Sequence, residues 1–514
     1  MINELKSEIS FASFKKEILK DYEIVCLSRA ISISGRKEVL TGKAKFGIFG
    51  DGKELPQIAM AKAFQKGDFR SGYYRDQTFM MAIDCLKPQQ IFAGLYAHTD
   101  PNHEPMSSGR QMGGHYNTDL IDKNGSWLKQ TDRYNSSSDV SCTAAQMPRL
   151  VGLAMASKLY RSEKLFDNPK FSINGNEVAW GTIGNASTSE GLFFESLNAA
   201  GVHQIPMVIS VWDDEYGISV DNSFQTVKES ISEALSGFKR NKSKDGFEIF
   251  SVKGWDYPNL IHTFQKAGEI ARIHHVPVLI HVTELTQPQG HSTSGSHERY
   301  KSENRLKWEK ENDCNLKFRS WIIDNNIATE AELEVIETST QQEAKKAKEN
   351  AWEASLEPIR NEARQLASCL SDTGDEVIVR EGQKLLKDKS INRKKIASFA
   401  RKSFRVLRKQ PYSQTEKLQS WIANYFEETQ PKFSAALYNE TKTSSLAVKK
   451  VEVSYDDNAP KVDGRIVLRD NFKVLFEKHD NLLVFGEDTG KIGDVNQGLE
   501  GLQSLFGVER VADR

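Results

Sequence analysis

The sequence predicts an α/β protein whose mainly parallel sheet is covered by helices on both sides. Three runs are continuously apolar over the length of a strand, at residues 177–184, 205–212 and 276–285. A strand with one face in water would alternate apolar and polar residues, so these strands belong to a buried parallel sheet. The chain has 514 residues with 26 Phe and 8 Trp, enough large apolar side chains to form sizeable cores.

A segment of helical periodicity joins the first two of these strands. Apolar residues recur at the spacing of one helical face from residue 189 onward, and Gly201 is expected to end this helix. Strand, helix and strand in this order form a βαβ unit, which is the connection that parallel strands need. Segments of helical periodicity alternate with short β-branched runs from about residue 20 to 320.

A change of composition near residue 330 predicts a charged helical connector over residues 331–455, rich in Lys, Glu, Gln and Ala. Ile396, Phe399, Ala400, Ser403 and Leu407 would form one apolar helical face there, while basic residues crowd the other faces. We interpret the basic faces as solvated or as a docking surface within the protein. An acidic or nucleic-acid partner is the alternative.

The α/β pattern resumes near residue 460, with a helical segment at 468–479 and an apolar strand at 481–488. The sequence ends a few dozen residues later, whereas a domain typically needs roughly 100–200 residues. We therefore expect residues 456–514 to be an incomplete module, consistent with a fragment of a longer polypeptide.

Charge and cysteine usage exclude several classes of protein. With 69 basic and 70 acidic residues, the formal charge is -1, which argues against a dedicated nucleic-acid binder. The five cysteines are scattered and contain no C-x-x-C pair, as is usual in a reducing compartment. No signal peptide and no run of about 20 apolar residues is evident, so the expected location is the cytoplasm, away from the membrane.

Polar residues follow two of the predicted neighbouring strands. The first strand ends in Gly184-Asn185-Ala186, and Asp214 and Tyr216 follow the second. The carboxyl ends of parallel strands border the crevice where ligands bind, so Asn185 and Asp214 are expected to face one ion. Amide, carboxylate and backbone carbonyl oxygens suit Mg²⁺, which completes its octahedron with phosphates and water. The pattern therefore predicts a magnesium diphosphate site.

This stretch resembles the thiamine-diphosphate motif of the 2-oxoacid dehydrogenase family, which runs from Gly-Asp-Gly or Gly-Glu-Gly to Asn-Asn and a Tyr. The resemblance implies a thiamine-diphosphate-binding fold, with Gly184, Ala186 and Tyr216 contacting the cofactor and Asn185, Asp214 and Tyr216 the metal. The sequence departs from the motif because Asn185 replaces the acidic residue and Asp214 the second amide. One carboxylate and one amide still remain, with their positions exchanged. A paralogue with a decayed cofactor site is the alternative.

Other segments follow the same family pattern in the same order. Tyr74 and Arg75 resemble its Tyr-Arg element and would contact the diphosphate, a task that suits a planar guanidinium. Residues 109–112 and 115–116 resemble the branched-chain members in particular. Residues 146–158 match the helix that precedes the motif strand.

Two further candidates have catalytic roles by this resemblance. His291 occupies the position of the family's active-site loop histidine, and Ser292 that of a neighbouring serine that animal relatives phosphorylate. Residues 481–499 resemble the opening of the family's β-type subunit, in which Glu487 would bind N1′ of the aminopyrimidine. Without this context, a histidine in a Gly/Ser-rich loop or an acid after a strand is more often a surface residue.

Residues 47–54 satisfy part of a Walker A loop, G-x-x-x-x-G-K, but place Glu54 where Ser or Thr must coordinate magnesium. A carboxylate would repel a triphosphate there. The family resemblance offers a better interpretation, in which Gly52-Lys53-Glu54 begins the helix before the Tyr-Arg element.

Taken together, the resemblance implies a fused decarboxylating component, with an α-type module at residues 1–330, the connector, and the start of a β-type module. It would decarboxylate a 2-oxoacid oxidatively, with a branched-chain substrate such as 2-oxoisovalerate first and pyruvate second. The acyl group would pass to a lipoyl group of a partner acyltransferase, and the protein would be a homo-oligomer. With its β-type module incomplete, this chain alone is expected to bind the cofactor weakly and to turn over a 2-oxoacid poorly. Two alternatives remain open: a non-catalytic scaffold, and another thiamine enzyme such as a transketolase-like protein, for which no sugar-phosphate-binding residues are identified.

Overall fold

A computed structural model describes residues 10–162, 168–242, 244–293, 295–409, 415–435 and 438–513. The strands in these ranges are β1 Phe69–Ser71, β2 Asn135–Ser136, β3 Ala179–Gly184, β4 Met207–Trp212, β5 Tyr216–Gly217, β6 Val220–Asp221, β7 Glu248–Lys253, β8 Val278–Thr283, β9 Val484–Gly486 and β10 Val511–Asp513.

The helices are α1 Phe11–Leu40, α2 Glu54–Ala63, α3 Gln77–Ala82, α4 Pro88–Leu95, α5 Gln146–Ser162, α6 Gly191–His203, α7 Ile231–Ala234, α8 Tyr257–His274, α9 Glu303–Glu311, α10 Cys314–Asp324, α11 Glu330–Ser371, α12 Glu376–Leu386, α13 Arg393–Leu407, α14 Thr415–Ser434, α15 Gly464–Lys478 and α16 Leu502–Phe506.

The predicted parallel sheet is confirmed. Six strands lie in the order β2-β1-β3-β4-β8-β7, and each neighbouring pair is parallel. The three predicted strands are β3, β4 and β8, and they occupy the centre of the sheet next to β7 and β1. The βαβ unit is β3, α6 and β4.

Both faces of the sheet are buried, which explains why its central strands are continuously apolar. On β3, Trp180 contributes to one core with helices α2 and α8, while Ile183 contributes to the opposite core with α5 and α6. Trp180 and Trp212 are completely buried in the same layer. Two separate cores therefore hold the central strands from either side.

The predicted end of α6 at Gly201 is wrong by two residues. The helix continues to His203, and Gln204 takes the left-handed conformation that ends it, with φ of 45°. The side-chain amide of Gln204 donates a hydrogen bond from Nε2 to the backbone carbonyl of Gly201 at 2.7 Å, so a side chain completes the cap. Gly201 lies inside the helix, where an added Cβ would make an ordinary contact with the Phe247 ring at 3.4 Å.

The segment after residue 330 is helical, as its composition indicates. Helix α11 has 42 residues, and its first half packs on α1 and α4 through residues such as Ala344 and Ala351. Its second half shares a core with α12, α13 and α14, in which Leu366 and Ile396 are fully buried. The module boundaries at residues 330 and 455 stay predictions.

Residues 464–513 form a small α/β unit with its own core. Strands β9 and β10 are parallel, and Phe476, Leu502 and Val511 pack between them and the helices α15 and α16. The predicted helix and strand of this unit are confirmed as α15 and β9. None of the described helices combines the length and apolar character that crossing a bilayer requires.

Candidate cofactor site

A cavity of about 350 Å³ lies at the carboxyl ends of β3 and β4. These strands are parallel neighbours, with Gly184 opposite Trp212, so the residues that follow them meet at this edge. The cavity brings together all of the predicted site residues except Glu487, namely Tyr74, Arg75, Gly184, Asn185, Ala186, Asp214, Tyr216 and His291. Lys53, Tyr73, Thr143, Ser187, Trp212, Gly217, Ile218 and Gln225 complete the lining.

Asp213 and Asp214 have different surroundings although they are adjacent in sequence. Asp213 is buried beside β8, where its Oδ2 lies 2.8 Å from Nε2 of His281. Asp214 lines the cavity and is only 6% exposed, and its Oδ1 accepts a hydrogen bond from the backbone N–H of Tyr216 at 3.3 Å. Asp214 is therefore the carboxylate of this pair that a ligand in the cavity can reach.

Two buried donors lie at the cavity without acceptors. Among the described residues, neither Nδ2 of Asn185 nor the hydroxyl of Tyr73 has a hydrogen-bond partner. A buried donor without an acceptor costs about 1–3 kcal/mol, so a ligand rich in oxygen fits this part of the cavity. The diphosphate of thiamine diphosphate is such a ligand.

A metal ion in this cavity would have few protein ligands. Within the described part of the chain, no group of three or more His, Cys, Asp or Glu side chains could hold a metal ion. Asp214 offers one carboxylate and Asn185 one amide, which are hard donors of the kind that Mg²⁺ accepts. The remaining positions would be filled by diphosphate oxygens and water.

Lys53 lines the cavity, although its sequence context did not assign it to the site. Its side chain is 2% exposed, and its ammonium donates to Oδ2 of Asp214 at 2.8 Å. Burial alone would raise the pKa of the Asp214 carboxyl, but the charge and hydrogen bond of Lys53 hold that pKa below its ordinary value. The site charge expected from Asn185 and Asp214 alone therefore leaves out the positive charge of Lys53.

Arg75, Tyr74 and His291 form one contact group. The Arg75 guanidinium lies 5.2 Å from the centre of the Tyr74 ring and donates to the backbone carbonyl of Phe49 at 2.6 Å. Its other terminal nitrogen lies 3.0 Å from Nδ1 of His291 and 3.1 Å from the His291 carbonyl. Burial, reinforced by the Arg75 charge, lowers the pKa of His291 to about 3.

The contact with Arg75 also fixes the tautomer of His291. A guanidinium can only donate, so Nδ1 of the neutral imidazole must accept and the proton resides on Nε2. His291 thus presents a neutral ring with one N–H donor at the cavity. It can donate a hydrogen bond to a ligand oxygen without adding charge.

A buried ion cluster supports the Tyr-Arg segment. Arg70 is completely buried between the carboxylates of Asp76 and Asp139, at distances of 2.6 and 3.0 Å. Asp76 also accepts from the backbone N–H of Tyr73 at 3.3 Å. Removing one member would leave an uncompensated buried charge, so this cluster holds the turn that presents Tyr74 to the cavity.

The segment that resembles a Walker A loop has a different role. Glu54 accepts two hydrogen bonds from the guanidinium of Arg29, at 2.6 and 3.0 Å, outside the cavity lining. Gly52 has φ of 83°, and an added Cβ would lie 2.1 Å from the carbonyl of Thr286. This glycine lets the chain turn against the segment after β8 and places Lys53 in the cavity. In the sequence, the Gly52-Lys53 pair is the feature that could have identified Lys53 as a residue of the site.

Glu487 lies away from the cavity. It follows β9 in a turn, its side chain is exposed, and it is absent from the lining. Its predicted role toward the aminopyrimidine stays a prediction.

Comparison with known proteins identifies the family. The sequence model of the family described as "Dehydrogenase E1 component" matches residues 22–359. The chain belongs to this family. The matched range includes the six-stranded sheet, every residue that lines the cavity and the first part of α11, whereas Glu487 lies outside it. The E1 dehydrogenase components are parts of thiamine-diphosphate-dependent 2-oxoacid dehydrogenases, and this chain is one of them.

Individual relatives are similar over about two thirds of the chain. The chain is 25% identical to the 2-oxoisovalerate dehydrogenase subunit alpha of Bacillus subtilis over 352 residues, covering 67% of this chain and 95% of the relative. It is also 25% identical to the pyruvate dehydrogenase E1 component subunit alpha of Rickettsia prowazekii over 350 residues, covering 67% and 94%. A mitochondrial pyruvate dehydrogenase E1 alpha subunit of Dictyostelium discoideum shares 25% over 313 residues, covering 60% and 71%. This E1 component is thus similar to alpha subunits of both kinds.

Proposed function

We propose that this chain takes part in the oxidative decarboxylation of a 2-oxoacid and in transfer of the acyl group to a lipoyl group of a partner acyltransferase. The observation that carries the proposal is the cavity at the strand ends. It combines two cations, Lys53 and Arg75, with donors that lack acceptors, and this combination fits an anionic diphosphate.

The residues of the cavity fit thiamine diphosphate with Mg²⁺. Arg75 and Tyr74 would contact the diphosphate, while Asn185, Asp214 and the backbone at Tyr216 would hold the metal ion. When bound, thiamine diphosphate supplies the carbanion that attacks the substrate carbonyl and the electron sink for loss of CO₂. The chain's own residues provide binding, orientation and electrostatics.

His291 is proposed as the residue closest to the chemistry. Its carbonyl and Nδ1 are held by Arg75, which fixes the ring, while Nε2–H remains available to the cavity. A neutral imidazole donor can stabilise a developing negative charge on a substrate oxygen without attracting a proton from solvent.

The preferred substrate is proposed to be a branched-chain 2-oxoacid such as 2-oxoisovalerate, with pyruvate second. Support comes from residues 109–116, which resemble the branched-chain members, and from the similarity to the 2-oxoisovalerate relative. The similarity to pyruvate dehydrogenase alpha subunits is equally high in identity, so the choice depends on an experiment.

The test measures reduction of an artificial electron acceptor by the full-length protein with thiamine diphosphate and Mg²⁺. We expect a higher kcat/KM for 2-oxoisovalerate than for pyruvate. A higher value for pyruvate would reverse the assigned preference. Absence of both thiamine diphosphate binding and turnover of either acid would instead favour the non-catalytic scaffold.

Residues 456–514 are proposed to be the opening of a β-type module in which Glu487 binds the aminopyrimidine. Its parallel strand pair supports this assignment, because the module would also be built on an α/β fold. Glu487 is absent from the lining of the cavity in its own chain. We therefore propose that it serves the cavity of another copy in a homo-oligomer.

A further inference from the structure

Lys53 is a buried cation that the family resemblance does not account for. It precedes α2 as its N-cap residue, and Gly52 turns the chain so that the side chain enters the cavity. The ammonium has three acceptors: Oδ2 of Asp214 at 2.8 Å, Oε1 of Gln287 at 2.9 Å and the carbonyl of Thr286 at 3.1 Å. Burial lowers the pKa of Lys53 and the Asp214 carboxylate opposes that shift, but three acceptors match the three N–H bonds of a protonated ammonium, so we treat the pair as ionic.

The pair changes the charge that a ligand meets in the cavity. The charged side chains among the described lining residues are Lys53, Arg75 and Asp214, while His291 is neutral. Lys53 cancels the charge of Asp214 and leaves the positive charge of Arg75. Asp51 lies behind Lys53, outside the lining, and accepts from the backbone N–H of Gln289 at 3.2 Å.

Without Lys53, the buried Asp214 carboxylate would face an incoming diphosphate with no cation bonded to it, and only the more distant charge of Arg75 would oppose its own. Such a carboxylate repels the anion until a divalent cation bridges the two groups. With Lys53, the repulsion is absent from the start. Mg²⁺ must then share the Asp214 carboxylate with an ammonium that already occupies one of its oxygens.

We propose that Lys53 is a charge-compensating residue of the cofactor site that lets the diphosphate bind before a divalent cation. The inference rests on the proposed function, because it assumes that the cavity holds thiamine diphosphate. Lys53 acts by neutralising Asp214 and by holding that carboxylate against the 286–287 segment. Cofactor binding is therefore only partly dependent on Mg²⁺.

A purely structural role for Lys53 makes a different prediction. Its three contacts join the start of α2, the end of β4 and the segment after β8, so its loss could simply loosen the site. Loosening would weaken cofactor binding equally with and without metal. It would also not be repaired by removing the charge of Asp214.

The experiment is calorimetric titration of the full-length protein with thiamine diphosphate, first in EDTA and then at saturating Mg²⁺. In EDTA, the wild-type protein should bind, and Lys53→Met should bind roughly ten- to a hundred-fold more weakly. Saturating Mg²⁺ should restore most of the affinity of Lys53→Met. The double variant Lys53→Met/Asp214→Asn should regain binding in EDTA but gain little from Mg²⁺, because no carboxylate remains.

Lys62→Met is the matched control. Lys62 lies on the same helix and also pairs with carboxylates, Glu17 and Asp21, but it does not line the cavity. This variant should bind the cofactor as the wild-type protein does in both conditions. Thermal unfolding of each protein without cofactor establishes that the variants are folded.

The outcomes separate the inference from the proposed function. A Lys53→Met variant weakened equally in EDTA and Mg²⁺, or a double variant as weak in EDTA as Lys53→Met, would overturn the role of Lys53. So would a wild-type protein that binds only with Mg²⁺. A wild-type protein that binds no thiamine diphosphate even at saturating Mg²⁺ would instead overturn the proposed function itself.

Discussion

At the scale of single residues, the site depends on which of two adjacent aspartates, Asp213 or Asp214, reaches the cavity. Asp213 is committed to His281 inside the sheet, and Asp214 is left for the cavity and Lys53. Asn185 contributes an amide from the neighbouring strand end. By the resemblance to the family motif, the acid and the amide are exchanged in position, and Lys53 pairs with the carboxylate of Asp214.

This exchange predicts the behaviour of two variants. Asp214→Asn leaves two neutral amides, so its Mg²⁺-dependent cofactor affinity should fall on the order of ten-fold or more. Asn185→Asp combined with Asp214→Asn should recover much of this loss, because it rebuilds the usual family arrangement. Calorimetric titration at saturating Mg²⁺ measures both. Unchanged affinity in Asp214→Asn would remove Asp214 from the metal ligands.

His291→Ala should lower turnover more than cofactor affinity, because the variant loses the Nε2–H donor but keeps Arg75 and Tyr74. Since the pKa of His291 is about 3, its ring is neutral from about pH 5 to 8, and the pH profile of cofactor affinity should not change in the variant. Steady-state kinetics and calorimetry are the measurements. An equal fall in turnover and affinity would assign His291 to binding alone.

At the scale of secondary-structure elements, helix ends fix the positions of loops around the sheet. Helix α8 ends at His274, and His275 takes the left-handed conformation with φ of 53°. Its Nε2 donates to the carbonyl of Gly175 at 2.9 Å, which ties the helix to the segment before β3. Burial lowers the pKa of His275 to about 4.

This shift predicts a dependence of stability on pH. His275 stays neutral in the folded protein between its ordinary pKa, about 6.5, and about 4, whereas the unfolded chain binds a proton there. The free energy of unfolding should therefore fall as the pH is lowered through this window. In His275→Asn, which tolerates the left-handed backbone, the fall between pH 7.5 and 5 should be smaller by on the order of 1 kcal/mol. Urea unfolding at the two pH values measures it, and an identical fall in both proteins would contradict the assignment.

At the scale of the whole molecule, the described residues form several cores joined by α11. Its first half packs on α1 and α4, and its second half packs in the helical bundle of α12–α14. The small unit at residues 464–513 has a separate core, and Glu487 lies on its surface. Glu487 does not line the cavity of its own chain, so the proposed role of this residue requires the cavity of another copy.

Mixing two inactive variants tests this arrangement. In the full-length protein, His291→Ala and Glu487→Gln should each abolish most turnover. In a homodimer whose sites each combine His291 of one chain with Glu487 of the other, a mixed dimer of the two variants has one intact site. An equal mixture refolded together contains half mixed dimers, so it should regain about a quarter of wild-type activity. Acceptor reduction with 2-oxoacid measures this. An inactive mixture would place both residues in the same chain or exclude Glu487.

The sequence by itself determined the parallel sheet, its βαβ unit and the meeting of Asn185 and Asp214 at one edge. These features follow from local patterns, because continuous apolar runs report burial on both faces and parallel neighbours end at the same side. Tertiary structure alone decided that Lys53 pairs with Asp214 and that Arg75 holds His291. These partners lie 161 and 216 residues apart. Their contact depends on loop geometry, such as the left-handed turn at Gly52, and no periodicity in the sequence reports which distant loops pack together.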